Sequence, residues 1–218
     1  SVCRRPGYCS FADLGTNQGI QGAYYWRSKD KLIIISNGNI YYSDSGGTIT
    51  SVNTSNLLPD GGKPTFAESA DGLTLLIANG ARIVQTDGVS TSTRVSSTFA
   101  PSKASHIAFL DQYIIANETG SGRWNFSSVN APTTWLAASV FTAEAKPDNL
   151  VALDVLARRL YLFGEKSIEV WLTSGDSAVF ERVDRAFEVG LGAKYSLARS
   201  DDGFYFLDDQ YRLVYFDG

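Results

Sequence analysis

The sequence predicts an all-β chain folded as a β-propeller of about five four-stranded antiparallel blades. Three observations support this prediction. A hairpin-like segment recurs along the chain, each recurrence is flanked by further short strands, and the first arm of each hairpin is apolar at consecutive positions. The chain has 218 residues, of which 44% are hydrophobic, so it is long and apolar enough to bury an ordinary globular core.

The recurring segment is a pair of strand-like runs separated by a short polar turn. Its first arms begin near Leu32, Leu75, Tyr113, Leu160 and Phe204, at steps of 43, 38, 47 and 44 residues. Repeats of roughly 40 to 50 residues are typical of propeller blades. The five copies are LIIISNGNIYYSD, LTLLIANGARIVQTDG, YIIANETGSGRWNFSS, LYLFGEKSIEVWLTSG and FYFLDDQYRLVYFDG.

Shorter runs flank the hairpins and complete a four-stranded unit. A strand that ends in turn residues precedes each hairpin, at 23–30, 64–72, 105–111, 149–154 and 194–203. A more polar run follows four of them, at 48–54, 92–97, 135–139 and 179–185. Frequent glycines and β-branched residues leave no window with a sustained helical period.

The first hairpin arms are too apolar for a sheet with one face in water. A strand of a half-exposed sandwich should alternate apolar and polar residues, whereas a middle strand of a blade is covered on both faces by neighbouring blades. We therefore expect LIII, TLLIA, YIIA, LYLF and FYFL to be covered on both faces. In the second copy, Leu75, Leu76 and Ile77 should be buried, while Asn79 and Gly80 should be exposed at the turn.

One propeller domain over residues 1–218 accounts for the whole chain. The predicted blades are 22–54, 64–97, 105–139, 149–185 and 194–218. The fifth unit ends after its third strand, so we expect residues 7–14 to supply its outer strand and to remove two open sheet edges. The alternative is that the chain is a fragment of a larger propeller.

The charge balance and the cysteines narrow the functional class. Lys and Arg total 19 against 23 Asp and Glu, giving a net charge of −4, which disfavours autonomous binding to a phosphate backbone. Cys3 and Cys9 are separated by five residues, so a bridge between them would close only a tiny loop. Free thiols are favoured over a disulfide scaffold or a metal site.

No catalytic, cofactor or metal motif is recognisable, and the chain is predicted not to be an enzyme. The only histidine, His106, lies at an inner-strand position, where packing is the expected role. The acidic pairs Asp201–Asp202 and Asp208–Asp209 lie in predicted turns and are interpreted as structural. No calcium-loop, phosphate-loop or zinc spacing is present.

Three residues are the candidates for contact with a ligand or partner. Trp26, Trp124 and Trp171 fall inside predicted strands, whereas Trp135 follows the turn at 131–134 and is the tryptophan least committed to packing. Arg158 and Arg159 form a small basic pair. Solvated surface is the simpler interpretation of that pair.

Residues 141–175 and 187–209 resemble the tail-hub, or packaged-DNA stabilisation, proteins of short-tailed bacteriophages. The RPGY segment at 5–8, the GGTITSVN region and the TDG at 86–88 are similar to the propeller part of that family. The resemblance covers nearly the whole chain through scattered positions and one good block. It implies a β-propeller in a virion protein that is made in the bacterial cytoplasm.

The resemblance implies a structural role. Such hubs form a homo-oligomeric ring below the portal and its adaptor, extend the DNA channel, retain the packaged genome, and contact tail needle or spike proteins. DNA would pass through the lumen without sequence-specific binding, and no membrane is involved. The alternative function is a carbohydrate-binding or glycan-processing propeller, in which loop aromatics such as Trp135 and Asp-rich turns converge on one face.

Overall fold

The structure is a computed structural model of the chain, and it describes residues 13–15, 18–52, 57–58, 62–89, 92–143, 145–175, 178–183 and 186–218. Nineteen β-strands and one 3-10 helix, Arg27–Lys29, make up the regular structure of these residues. No described helix is long and apolar enough to cross a membrane. The predicted all-β class is confirmed.

The strands form five antiparallel sheets, and each sheet is one blade of a β-propeller. Blade 1 contains β1 (Ile20–Trp26), β2 (Lys31–Ser36), β3 (Asn39–Ser43) and β4 (Ile49–Ser51). Blade 2 contains β5 (Thr65–Glu68), β6 (Leu75–Ala78), β7 (Ile83–Thr86) and β8 (Ser92–Arg94). Blade 3 contains β9 (Ile107–Leu110), β10 (Tyr113–Asn117), β11 (Arg123–Ser128) and β12 (Ala131–Thr142).

The last two blades follow the same order of strands. Blade 4 contains β13 (Leu150–Leu156), β14 (Arg159–Gly164), β15 (Ile168–Thr173) and β16 (Phe180–Arg182). Blade 5 contains three strands within the described residues, β17 (Ala198–Arg199), β18 (Phe204–Leu207) and β19 (Leu213–Phe216). In every blade, strands that are neighbours in sequence are neighbours in the sheet, so each blade is a simple meander.

The predicted strand at residues 7–14 lies almost wholly outside the described residues. Of that segment only Asp13 and Leu14 are described, and neither is in a strand; the backbone N–H of Gly15 instead donates to the Asp13 carboxylate at 2.8 Å. Cys3 and Cys9 also lie outside the described residues. The completion of blade 5 by the N-terminal segment therefore stays a prediction, as does the alternative of a larger propeller.

Four buried hydrophobic clusters join the five blades in a row. Alternate residues of each middle strand point to opposite neighbours, as strand geometry requires. In β6, Leu75 and Ile77 pack towards blade 1, whereas Leu76 and Ala78 pack towards blade 3. The same alternation links blade 3 to blade 4 and blade 4 to blade 5. This packing explains why the middle strands are apolar at consecutive positions.

The turn after β6 corrects one expectation. Leu75, Leu76 and Ile77 are fully buried as predicted, but Asn79 is only 2% exposed and Gly80 is half-buried. The Asn79 carbonyl accepts from the backbone N–H of Gly62 at 2.7 Å, and the Gly80 N–H donates to the Ala104 carbonyl at 2.6 Å. The turn is covered because the connections that enter and leave blade 2 cross over it.

Blade 5 corrects a second expectation. The FYFL strand was expected to be covered on both faces. Phe204 and Phe206 are fully buried against blade 4, but Tyr205 is 45% exposed on the other face. Its cross-strand partner Tyr215 is 43% exposed, and Leu213 is 75% exposed. Among the described residues, no buried hydrophobic cluster joins this face to blade 1.

Candidate functional site

The inner strands of the blades surround a central cavity of about 520 Å³, and this cavity is the candidate site. All five blades contribute to its wall: Tyr24, Glu68, His106, Asp154, Tyr195 and Arg199 are among the residues that line it. Its volume lies within the usual range for pockets that hold small ligands. The cavity is too small to pass a nucleic-acid duplex.

The inner strands run in the same direction, so the cavity has two chemically different ends. The Thr65 hydroxyl, at the start of β5, donates to the carbonyl of Ser105, just before β9. Residues near the ends of the inner strands also contact one another. The Tyr24 hydroxyl donates to Glu68 at 2.8 Å, and Arg199 contacts Asp154 at 3.2 Å. We call the end at which the inner strands begin the entry end, and the other the exit end.

Charges at the exit end are paired. Arg199 also donates to the Val155 carbonyl at 2.7 Å, which fixes its guanidinium beside Asp154. Burial raises the pKa of Asp154, and Arg199 partly opposes that shift. Burial, and then the hydrogen bond to the Glu68 carboxylate, raise the pKa of Tyr24 to about 12, so its phenol stays protonated as a donor. These groups satisfy one another within the cavity wall.

The entry end is built around His106, which lies immediately before β9 and is only 7% exposed. Its Nδ1 is 3.0 Å from the Ser105 hydroxyl oxygen, and the backbone N–H groups of both residues donate to Asn117 Oδ1. Asn117 Nδ2 donates to the same hydroxyl at 3.0 Å. The Asn117 side chain therefore locks the start of β9 to the end of β10.

This network also indicates the tautomer of His106. The Ser105 hydroxyl accepts from Asn117 Nδ2, and its own proton has two acceptors within reach: His106 Nδ1 at 3.0 Å and Asn117 Oδ1 at 3.3 Å. Because Asn117 Oδ1 already accepts two backbone N–H groups, we infer that the Ser105 hydroxyl donates its hydrogen bond to His106 Nδ1, which acts as the acceptor. A neutral His106 then carries its proton on Nε2.

His106 is neutral over the physiological pH range. Burial, and then the positive charges of Lys194 and Lys63, lower the pKa of its imidazole to about 3. The Tyr195 ring covers the imidazole in a stacked arrangement, with centroids 6.0 Å apart. His106 was expected from the sequence to be a packed residue, and its environment agrees with that expectation.

The structure places Trp135 inside the core. It is 2% exposed and packs in the cluster between blades 2 and 3, and Ser97 donates to its backbone carbonyl at 3.0 Å. A buried ring is not available as a platform for a sugar. The ligand or partner contact predicted for Trp135 is not observed directly and stays a prediction.

The two arginines of the predicted basic pair lie at the blade 4 surface, away from the cavity wall. Arg158 adopts a positive φ of 60° in the turn before β14, and its guanidinium forms an ion pair with Asp111 of blade 3 at 3.0 Å. Arg159 is exposed at the first position of β14. Among the described residues, no contact joins either arginine to Trp135. Their role in binding a ligand or partner stays a prediction.

The acidic pairs lie in turns, as the sequence indicated. The Asp208 carboxylate accepts the backbone N–H groups of Gln210 and Arg212 and pairs with the Arg212 guanidinium at 2.7 Å. Burial would raise the pKa of Asp208, but these hydrogen bonds outweigh it and lower the pKa. Within the residues that the structure describes, no group of three or more His, Cys, Asp or Glu residues could hold a metal ion.

Sequence reasoning missed the residues that surround His106. Lys63 lies just before the strand predicted at 64–72. Lys194 and Tyr195 fall within the run predicted as a strand at 194–203, but in the structure only Ala198–Arg199 of that run is a strand, so both residues lie in the connection that leads into β17. The available signal was a lysine shortly before an inner strand, in GKP at 62–64 and AKY at 193–195. That signal becomes meaningful only when the propeller brings the two connections to the same end of the cavity.

The fold and the cavity define the class of protein as a β-propeller. Among protein families, the one described as Phage_stabilise, "Bacteriophage P22 Gp10, beta-propeller", matches residues 5–212. The chain belongs to this phage stabilisation family, which confirms the resemblance noted from the sequence. No curated protein matches the sequence significantly.

Solved structures share the fold at low sequence identity. A streptogramin B lyase matches with a TM-score of 0.59 and 13% identity, covering 94% of this chain and 70% of the lyase. A virginiamycin B lyase from Staphylococcus aureus matches with a TM-score of 0.58 and 13% identity, covering 93% of this chain and 71% of that one. The computationally designed Ika4 protein has a TM-score of 0.54 at 9% identity, covering 76% of this chain and 99% of Ika4. These likenesses establish the propeller fold alone.

Proposed function

We propose that the protein is a non-enzymatic structural component of a phage tail, acting as a tail hub between the head and the distal tail proteins. The observation that carries this proposal is membership of the phage stabilisation family over residues 5–212. In this role the protein assembles into a homo-oligomeric ring, extends the DNA channel and retains packaged DNA. It contacts the portal or adaptor ring on one side and needle or spike proteins on the other, and it resides in the virion.

The charge distribution supports passage of DNA without tight binding. The net charge is −4, and several of the described cations form ion pairs, as in Arg158–Asp111, Arg199–Asp154 and Arg212–Asp208. A protein of net negative charge has a weak general attraction to phosphates, so DNA can move past it. Because the central cavity of one copy is too small for a duplex, DNA would pass through a lumen enclosed by several copies.

The absence of a recognisable reaction centre among the described residues fits a structural role. The imidazole of His106 contacts the Ser105 hydroxyl, but that hydroxyl is also held by Asn117, and no hydrogen bond among the described residues joins a carboxylate to the imidazole as a catalytic triad requires. The alternative is a carbohydrate-binding or glycan-processing propeller, in which loop aromatics and Asp-rich turns converge on one face, and Trp135 supports it only as an exposed aromatic. The burial of Trp135 removes that support.

Electron microscopy of the purified full-length protein mixed with its portal and adaptor tests the proposal. The expected result is a symmetric ring docked below the adaptor, with a central lumen wide enough for duplex DNA. Native mass spectrometry of the same sample should give an integral number of copies per ring. A monomer that fails to dock under conditions in which portal and adaptor associate would overturn the hub proposal.

A further inference from the structure

The entry end of the cavity carries positive charge that the described residues do not neutralise. Lys63 lines the cavity, and the Lys194 ammonium lies 5.7 Å from the centroid of the Tyr195 ring. Neither lysine forms an ion pair within the described part of the chain, although the protein as a whole is acidic. The exit end differs, because its arginine is held by Asp154.

Both lysines act on the same buried imidazole. Their charges are close enough to His106 to add to the effect of burial in lowering its pKa. Burial also lowers the pKa of Lys194 itself, so its ammonium is held partly out of water without a described counter-charge. One bound anion would offset this unfavourable electrostatic energy, because it attracts all of these positive charges.

His106 supplies a directional donor at the same place. Its Nδ1 is occupied by the Ser105 hydroxyl, and Nε2 has no hydrogen-bond partner among the described residues. The ring lines the cavity although more than nine-tenths of the residue is buried. With the proton on Nε2, the imidazole offers an N–H to a ligand in the cavity, and such hydrogen bonds strengthen when the acceptor is ionised.

We propose that the entry end, formed by Lys63, His106, Lys194 and Tyr195, is a binding site for the oxyanion group of a small ligand, a carboxylate or a phosphate. The two ammonium groups supply the charge, His106 Nε2 supplies a fixed hydrogen-bond donor, and Tyr195 forms a wall. The remaining volume of the cavity accommodates the body of a small molecule. This site is independent of the tail-hub function, since it lies within a single copy of the chain.

The single histidine makes the proposal directly measurable. The imidazole Cε1–H resonance of His106 is followed by NMR in the folded protein while inorganic phosphate or acetate is added at constant ionic strength, with chloride as the balancing anion. The expected result is a saturable shift of the His106 resonance with at least one oxyanion. Binding should also raise the pKa of His106, because an anion stabilises the imidazolium.

Two sets of variants distinguish a site from general ionic effects. The double variant Lys63→Gln/Lys194→Gln should weaken the apparent affinity roughly tenfold or more, the scale of one lost charge-assisted hydrogen bond. Lys146→Gln is the matched control, because Lys146 pairs with Glu188 and does not line the cavity. It should leave the titration unchanged.

Three outcomes would overturn the proposal. They are no saturable shift of the His106 resonance with either oxyanion, an equal shift when chloride alone is increased, and an equal affinity in wild type and the double variant. A response to phosphate but not acetate, or the reverse, supports the site and identifies which oxyanion it prefers. Circular dichroism of each variant verifies that it folds before the titration is interpreted.

Discussion

The interface between blades 3 and 4 and the outer face of blade 5 both carry aromatic side chains, but these side chains have different environments. At the first, Trp124 packs against Trp171 with ring centroids 5.3 Å apart, and Phe126 packs against Phe180 at 5.0 Å. At the second, Tyr205 and Tyr215 lie opposite each other at 4.8 Å but remain 45% and 43% exposed. Each face also contains a cross-strand aromatic pair, Trp124–Phe141 in blade 3 and Tyr205–Tyr215 in blade 5.

The difference shows that the neighbouring blade, rather than the strand itself, accounts for the burial. A cross-strand pair contributes about 0.2–1 kcal/mol, whereas full burial of a large apolar side chain contributes about 1.5–3 kcal/mol. Blade 4 adds that second contribution to Trp124. Among the described residues, no blade adds it to Tyr205. Substitutions should therefore separate the two faces sharply.

The largest expected effect is at the covered interface. Trp124→Ala should lower the free energy of unfolding by about 3–5 kcal/mol, because it leaves a cavity among Phe126, Phe141, Trp171 and Phe180. Chemical denaturation followed by circular dichroism measures the loss. A loss below about 1 kcal/mol, the size expected for an exposed aromatic, would contradict the proposed difference between the two faces.

The next effect tests how firmly blade 5 is attached on its inner side. A Cβ at Gly190 would overlap the Glu165 carbonyl oxygen, where the connection into blade 5 crosses a turn of blade 4. Gly190→Ala should destabilise the protein by up to about 3 kcal/mol, since backbone must move to admit the methyl group. Gly175→Ala is the control, because no atom lies within 4 Å of its added Cβ. Equal stability of the two variants would mean that this crossing is loosely packed.

A third prediction concerns the pH dependence of stability, which reports on His106 and on the segment that covers it and leads into blade 5. The unfolded chain binds a proton at His106 near pH 6.5, whereas the folded chain binds it only near pH 3. The unfolded state therefore holds more protons between these values, and stability falls as the pH falls through this window. Between pH 7 and pH 5 the loss attributable to His106 should be roughly 2 kcal/mol.

Two variants assign that loss to His106 and its cover. His106→Gln should abolish this part of the pH dependence. Subtracting the variant's pH profile of the free energy of unfolding from that of wild type cancels the contribution of the carboxylates, which the two proteins share. Tyr195→Ala should expose the imidazole and move its pKa upward, reducing the slope, because Tyr195 stacks on the ring. Parallel pH profiles for wild type and His106→Gln would show that the histidine is not held neutral by the fold.

The smallest expected effect is on the outer face of blade 5. Tyr205→Ala should change the free energy of unfolding by less than about 1 kcal/mol, since the side chain loses mainly its contact with Tyr215. Denaturation under the same conditions as for Trp124→Ala provides the comparison. A loss as large as that of Trp124→Ala would indicate that this face is covered in solution.

The repeat, the strand order and the burial of the middle strands could be predicted from the sequence because each repeats a local pattern. LTLLIA is apolar at consecutive positions because two neighbours cover it, and that inference is confirmed by the full burial of Leu75, Leu76 and Ile77. The burial of Asn79 could not be predicted, since it depends on where the connections at Gly62 and Ala104 cross the turn. The exposure of Tyr205 depends likewise on a neighbour, which the strand pattern does not encode.

The cavity was less predictable for the same reason. His106 was recognised as an inner-strand residue, but its partner Asn117 lies on the next strand and Tyr195 lies almost ninety positions later in the chain. From the sequence, Trp135 follows a predicted turn, and its position does not indicate that the side chain is buried. The structure places it within the twelve-residue strand β12, where its side chain packs between blades 2 and 3. Residues from different blades that meet at the central cavity have no fixed spacing in the sequence, so a local pattern cannot predict their contact.

The row of four clusters has a consequence for the order in which the protein opens. Blades 2, 3 and 4 are each held by clusters on both sides, whereas blades 1 and 5 are each held by a described cluster on one side only, and blade 3 is the farthest from both ends of the row. When modules contact mainly their nearest neighbours, local opening starts at the modules with the fewest contacts. Amide hydrogen exchange should therefore be slowest in β10 and β11 and progressively faster towards β2 and β18, so that protection falls off on both sides of the central blade.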